Sequence, residues 1–172
     1  MYLTRRAREM RRTGRALLVV ALTAIAAIAG ALVYMEPRES EKPLVVLYMK
    51  SDCSTCQNYA HYLGDHGFRV QLGSEAELRA VRERARLPRM FQAPQVAVVE
   101  DWLIVGPVPA ADIHDLLNWR NRSHARGLVV PGMPRGAPGV NAAIPEPFTV
   151  YLIRGSGLVQ PLKTYNHVHY WR

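Results

Sequence analysis

Cysteine is nearly missing from this chain: Cys53 and Cys56 are the only two among 172 residues, so any thiol chemistry has to run through that one pair. Other absences narrow the function further. No glycine-rich phosphate cradle, nucleophile-elbow serine, paired acid motif or HExxH sequence occurs, which removes nucleotide-binding and hydrolase readings. There is no internal repeat and no low-complexity tract. Acid is scarce at the start, where Met1 to Arg15 holds Arg5, Arg6, Arg8, Arg11, Arg12 and Arg15 against Glu9 alone. Those six arginines less Glu9 account for +5 of the formal +8, leaving +3 for the rest. The basic balance is therefore an orientation signal rather than a nucleic-acid footprint.

Residues 16–35, Ala16 to Met35, run for twenty residues without a charge. A helix of that length spans about 30 Å, the thickness of a bilayer core. Positive charge gathers on the cytoplasmic side of a first membrane helix, so residues 1–15 are expected inside and everything after Glu36 outside, in a bacterial periplasm. A cleaved signal peptide is the rival reading, because Ala29-Gly30-Ala31 has the small-x-small form of a cleavage site. The apolar run continues past it through Leu32, Val33 and Tyr34, which favours a retained single-pass anchor in the inner membrane. Thr23, Ala27 and Ala31 recur every fourth residue, a spacing that admits a partner helix but equally suits an alanine-rich anchor packed on nothing.

Residues 36–43 form a short charged linker, and residues 44–172 suffice for one compact domain. Leu44 to Met49 reads as a buried strand, Cys56 to His66 as a helix with Tyr59, Tyr62 and Leu63 on one face, and Phe68 to Leu72 as a second strand. Ser74-Glu75-Ala76-Glu77 is a capping box opening a helix to about Arg86, its arginines and glutamates most simply a solvated face. Val96–Val99 and Trp102–Val105 flank Glu100-Asp101 as a tight hairpin, and Pro109 leads into a helix from Ala110 to Trp119. The expected class is α/β, with the thioredoxin order βαβαββα. Val130 to Pro147, with five prolines and three glycines, reads as an irregular loop. Phe148 to Ile153 and Leu158 to Leu162, joined by Gly155-Ser156-Gly157, add a C-terminal hairpin, and His167 to Arg172 alternate like an edge strand.

Cys53-Ser54-Thr55-Cys56 falls at a strand-to-helix turn, where unpaired N–H groups and the positive helix end favour a thiolate. The pair suits redox chemistry, a permanent disulfide or idle thiols. In a thioredoxin-like domain a proline about forty residues later faces such a pair; Pro94, in Ala93-Pro94-Gln95-Val96, has that spacing, with a cis peptide slightly favoured but its isomer left open. His167 and His169 share one face of a strand and could hold a metal weakly, though an exposed polar face is the simpler reading. His61, His66, His114 and His124 show no ligand spacing, and Trp102, Trp119 and Trp171 read as core or interface anchors.

The stretches LYMKSDCSTCQNYAHYLGDHGF, VAVVEDWLIVGPVPAADIHDLL, GLVVPGMPRGAPG and PFTVYLI resemble the thioredoxin-like, periplasmic copper-resistance proteins of the CopG type, long catalogued as a domain of unknown function. The resemblance covers Val45 to Tyr165 and implies a thioredoxin-like fold and copper binding or copper redox handling. It also implies a Cys-x-Cys-Cys motif, a Cys-His pair before the third strand and a histidine in a Gly-His-Val-Pro turn. Cys53 and Cys56 match the outer cysteines of the first motif, but Thr55 replaces the middle one, Pro94 and Gln95 stand for Cys-His, and Pro107 stands for the histidine. Most of the family's metal ligands are thus missing. What remains is a reduced metal site on Cys53 and Cys56, aided by Met133.

Three functions compete. Ligand loss favours a non-catalytic accessory subunit, anchored in the membrane and docked on other subunits of a respiratory or photosynthetic electron-transfer complex, with no cofactor of its own. The alternatives are a copper-binding resistance protein with the reduced Cys-x-x-Cys site, and a thiol-disulfide oxidoreductase using Cys53 and Cys56. In the accessory-subunit reading the pair is a remnant, a disulfide pinning the first helix to its strand.

Overall fold

A computed structural model describes residues 21–22, 24–25, 42–119 and 124–166. The expected membrane span at 16–35 and the His167, His169 and Trp171 tail lie almost wholly outside these residues. Among them no helix is long and apolar enough to cross a membrane. The chain divides into two units, Met1–Glu41 and Lys42–Arg172, and the second carries the fold.

In this unit the described residues form seven strands and three α-helices: β1 Leu44–Tyr48, α1 Ser54–Asp65, β2 Arg69–Gly73, α2 Glu75–Ala85, β3 Val96–Val99, β4 Trp102–Val105, α3 Ala110–Leu117, β5 Ala125–Val129, β6 Phe148–Arg154 and β7 Val159–Tyr165. A single 3-10 turn, Arg89–Phe91, links α2 to β3. The expected order holds, with one strand that the sequence pattern did not show. β5 pairs in parallel with β4 and carries the C-terminal hairpin onto the same sheet, whose order is β2-β1-β3-β4-β5-β6-β7. This arrangement fits a thioredoxin-like domain extended at one edge.

Period-two alternation along the strands feeds two cores. Val45, Leu47, Val99, Trp102, Ile104, Leu128 and Val150 point to the face covered by α1 and α3, through Tyr59, Leu63, Ile113 and Leu116. Val96, Val105, Val129 and Ile153 point to the other, covered by α2 through Leu78. Complete burial of one such aliphatic side chain contributes roughly 1.5–3 kcal/mol. The capping box forms as expected: Glu77 N–H donates to Ser74 Oγ at 3.3 Å, and Ser74 N–H donates to Glu77 Oε2 at 3.0 Å. The Ser74 groups hold the Glu77 carboxyl below its ordinary pKa. Pro161 is tolerated in β7 because that strand pairs only with β6 among the described residues, and the register shifts beside it at Val150/Tyr151.

The added hairpin is latched to α3. Asp112, 4% exposed and in the first turn of that helix, accepts from Tyr165 Oη at 2.6 Å and from Lys163 Nζ at 3.2 Å. A buried carboxylate needs such partners, and removing it leaves the tyrosine hydroxyl without its acceptor. Asp112→Ala is expected to lower unfolding free energy by about 1–3 kcal/mol in urea titrations, with the loss confined to the latch. Burial and the Asp112 carboxylate raise the Tyr165 hydroxyl far above its ordinary pKa of 10.0, and burial does the same for Tyr59. A raised folded value contributes stability that is complete below the unfolded pKa and is lost progressively as pH rises from there towards the folded pKa. Stability should therefore fall as pH climbs past about 10, and Tyr165→Phe should reduce that slope in denaturation curves taken across alkaline pH.

Candidate functional site

Helix α1 begins at a sulfur. Cys53, extended at φ −86°, is its N-cap, and its Sγ accepts from Cys56 N–H at 3.3 Å. The Thr55 hydroxyl lies 3.5 Å from the same sulfur. No acidic residue stands in the first turn of α1, so nothing there opposes negative charge on Cys53. Cys53 and Cys56 are joined in a disulfide, Cα to Cα 5.3 Å. One end is the N-cap residue of α1 and the other lies in its first turn. The bond therefore closes α1 on itself and does not pin the helix to β1, as the sequence had suggested. Cys53 is half-buried while Cys56 is fully buried, the asymmetry of a pair with one accessible and one sheltered sulfur.

Across from the pair runs the segment before β3. Among the described residues every peptide bond is trans, including the one preceding Pro94, so the cis form slightly favoured for that proline is not adopted. The side chain that meets the pair is its neighbour: Gln95 Oε1 lies 3.4 Å from Cys56 Sγ. Gln95 is fully buried, and its Nε2 has no hydrogen-bond partner. A buried amide left unpaired costs about 1–3 kcal/mol, so its presence against a sulfur needs a reason. The Pro94 segment is held from α2, where Arg82 Nη2 donates to Ala93 O at 2.7 Å and to Pro94 O at 2.8 Å. Arg82 is thus a half-buried tether and not part of a solvated face.

Two further segments close the site. Gly106 N–H donates to Gln95 O at 3.2 Å, which places the buried Gly106-Pro107-Val108-Pro109 turn beside it. The proline- and glycine-rich loop then crosses over: Gly132 N–H donates to Gln92 O at 3.0 Å, and Gly139 lies against the backbone of Tyr59. Gly139 has φ +77°, and a Cβ there would stand 2.6 Å from Tyr59 N. The loop is shaped by Glu146, whose carboxyl Arg135 holds below its ordinary pKa through N–H to Oε1 at 2.9 Å and Nε to Oε2 at 3.3 Å. Met133, on this loop, is half-buried against the core that contains Cys56. The expected site residues Cys53, Cys56, Pro94 and Met133 therefore lie on segments that converge.

The four described histidines stand apart. His66 Nδ1 bonds Tyr62 O at 2.7 Å, His114 Nε2 bonds His66 O at 3.0 Å, and His61 and His124 are exposed. Among the described residues no group of three or more His, Cys, Asp or Glu could hold a metal ion. An open groove of about 760 Å³ walled by Lys50, Arg79, Arg82, Glu83, Arg86 and Gln92 adjoins the site but offers neither sulfur nor imidazole.

Comparison with known proteins agrees with this architecture. A family described as "Protein of unknown function, DUF411" matches residues 92–140, from the Pro94 segment into the covering loop. A solved structure described as "Copper resistance protein copG- Form 2" is 30% identical, with a TM-score of 0.66 over 73% of this chain and 99% of its own. The chain belongs to this copper-resistance family. A second solved structure, "Copper resistance protein copG- Form 1", is 28% identical with a TM-score of 0.67 over 74% of this chain and 100% of its own. No curated protein matches significantly.

For a CopG-type protein this chain has a sparse donor set. Two adjacent cysteines, once reduced, supply two soft thiolates, and these fit a single copper(I) ion, which accepts low coordination by sulfur. Gln95, at the place of the expected histidine, and Thr55, at the place of the expected cysteine, touch the sulfurs through groups that hydrogen-bond but do not bind soft metals. The accessibility difference has a direct test. After reduction, iodoacetamide should label Cys53 about an order of magnitude faster than Cys56, read by peptide mass spectrometry; equal rates would contradict the buried placement of Cys56.

Proposed function

We propose that this chain is a copper-handling resistance protein whose metal chemistry runs through Cys53 and Cys56 alone. The observation that carries this reading is the pair itself: two sulfurs at the head of α1, one accessible and one sheltered, in the fold of proteins described as copper-resistance proteins. In the dithiol state the cysteines bind copper(I) as thiolates, each releasing its proton. In the disulfide state neither sulfur carries the negative charge that a soft cation needs, so the pair releases the metal. The two states interconvert by exchange with a thiol reductant: its thiolate attacks the accessible Cys53 sulfur, the sulfur–sulfur bond breaks, and Cys56 leaves as the second thiol. A second reductant thiol then frees Cys53, and the reductant departs as its own disulfide.

The buried second sulfur also suits a thiol-disulfide oxidoreductase, and this is the second reading. Residues 16–35, as an anchor, would hold the domain on the periplasmic side of the inner membrane. The accessory-subunit expectation draws no support from the fold or from the relatives, whereas copper does.

Copper(I) titration against a colorimetric chelator separates the readings. The reduced protein should retain about one copper(I) per chain against the chelator, with the disulfide form and Cys53→Ser, Cys56→Ser retaining none. Met133→Leu should weaken retention without abolishing it. Equal retention by the reduced protein and the double variant would overturn the proposal, and turnover of a disulfide substrate without copper retention would favour the oxidoreductase.

A further inference from the structure

Gln95 is an amide that the disulfide leaves unused. Its Oε1 lies 3.4 Å from Cys56 Sγ, yet a disulfide sulfur carries no hydrogen to donate. Its Nε2 is buried without a partner. Its backbone, by contrast, is engaged, since Gly106 N–H donates to Gln95 O at 3.2 Å. Residue 95 is therefore fixed in place with both ends of its side-chain amide unsatisfied while the pair is oxidised. Reduction changes what Cys56 can offer. A thiol donates S–H to Oε1 across the contact already present. A metal-bound or ionised sulfur instead accepts from Nε2–H after a half-turn of the terminal amide, a torsion with a broad, roughly two-fold profile.

We propose that Gln95 is a positioning residue for the Cys53–Cys56 couple, bonding the Cys56 sulfur more strongly in its reduced states than in the disulfide and so biasing the couple towards the dithiol that holds copper(I). The inference rests on the preceding reading only in taking the pair to cycle between dithiol and disulfide. Reduction is balanced by a dithiol of the dithiothreitol class: the protein's sulfur–sulfur bond breaks, one forms in the reductant, and two hydrogens pass to Cys53 and Cys56. A side chain that bonds the product of this exchange more strongly than the disulfide raises the reduction potential. It also orients the sulfur of a metal ligand, as outer-shell partners do elsewhere.

The test is the equilibrium of the full-length protein in detergent with oxidised and reduced dithiothreitol, at one pH, quantified by alkylation and mass. Gln95→Leu removes donor and acceptor at similar bulk. It is expected to shift the equilibrium about tenfold towards the disulfide, a potential lower by about 30 mV. The oxidised variant should melt no lower than the oxidised wild type, because the amide makes no bond there. An unchanged equilibrium, or a shift towards the dithiol, would overturn the proposal, and so would equal destabilisation of both states. A measurement on the wild type stands independently of whether the variant folds. On reduction, and again on adding copper(I), the Gln95 side-chain amide protons should shift and exchange more slowly in ¹⁵N-edited spectra; unchanged resonances would defeat the idea. Chelator competition distinguishes the two readings: a Gln95→Leu shift in a protein that retains no copper leaves Gln95 standing and removes the copper function. Copper retention with no shift does the reverse.

Discussion

Tyr59 is the residue on which the site's geometry depends. It lies one helical turn beyond Cys56, fully buried, and its hydroxyl donates to Val108 O at 2.8 Å. That single bond ties α1 to the turn that follows β4, and the same turn reaches Gln95 through Gly106 N–H. The backbone of Tyr59 is also the surface on which Gly139 rests. Helix, turn and covering loop thus meet at one residue. A buried hydroxyl without its acceptor costs about 1–3 kcal/mol, so the bond fixes the depth of α1 and with it the position of the Cys56 sulfur three residues earlier. Tyr62, on the same face, repeats the connection by accepting from Ala110 N–H at 3.1 Å, so the start of α3 is held to α1 as well.

Much of this was legible in the sequence, for local reasons. The β3–β4 hairpin could be read to its observed bounds because branched and aromatic residues flank a two-residue polar turn, and the start of α2 because Ser74 and Glu77 satisfy each other within one turn. Strand β5 was not legible. Ala-Arg-Gly-Leu-Val has neither clean alternation nor a bounding turn signal, and its pairing with β4 is nonlocal. Gly127 interrupts the pattern because a side chain there would run into the Leu103 backbone. Arg82 was misread for a similar reason: helical spacing marked it as solvated, whereas its acceptors, Ala93 O and Pro94 O, belong to a segment that only the fold brings near.

The cysteine pair was visible from the start, but its surroundings were read as losses. By resemblance, Thr55 and Gln95 occupy places where the family carries cysteine and histidine. The structure shows that both still touch the pair, Thr55 at the Cys53 sulfur and Gln95 at the Cys56 sulfur, 39 residues away in sequence. No period or motif could announce such a contact, because it depends on the sheet placing β3 beside β1 with the head of α1 above them.

Exchanging a ligand for a hydrogen-bonding group alters the kind of control a site has over copper. If copper is held by two sulfurs only, as proposed, forming the disulfide removes both thiolate donors at once, and occupancy would follow the redox state of a single bond. The groups around that bond then decide how readily it closes. Thr55 and the Cys56 N–H meet Cys53, the sulfur open to exchange, while Gln95 meets Cys56, the one shut away from water. In a buried setting an amide unpaired in one redox state and paired in the other weighs on the equilibrium more than an exposed group would, because no water takes the partner's place. On the proposed copper reading, the loss of ligands would leave a site governed by the redox state of its two sulfurs.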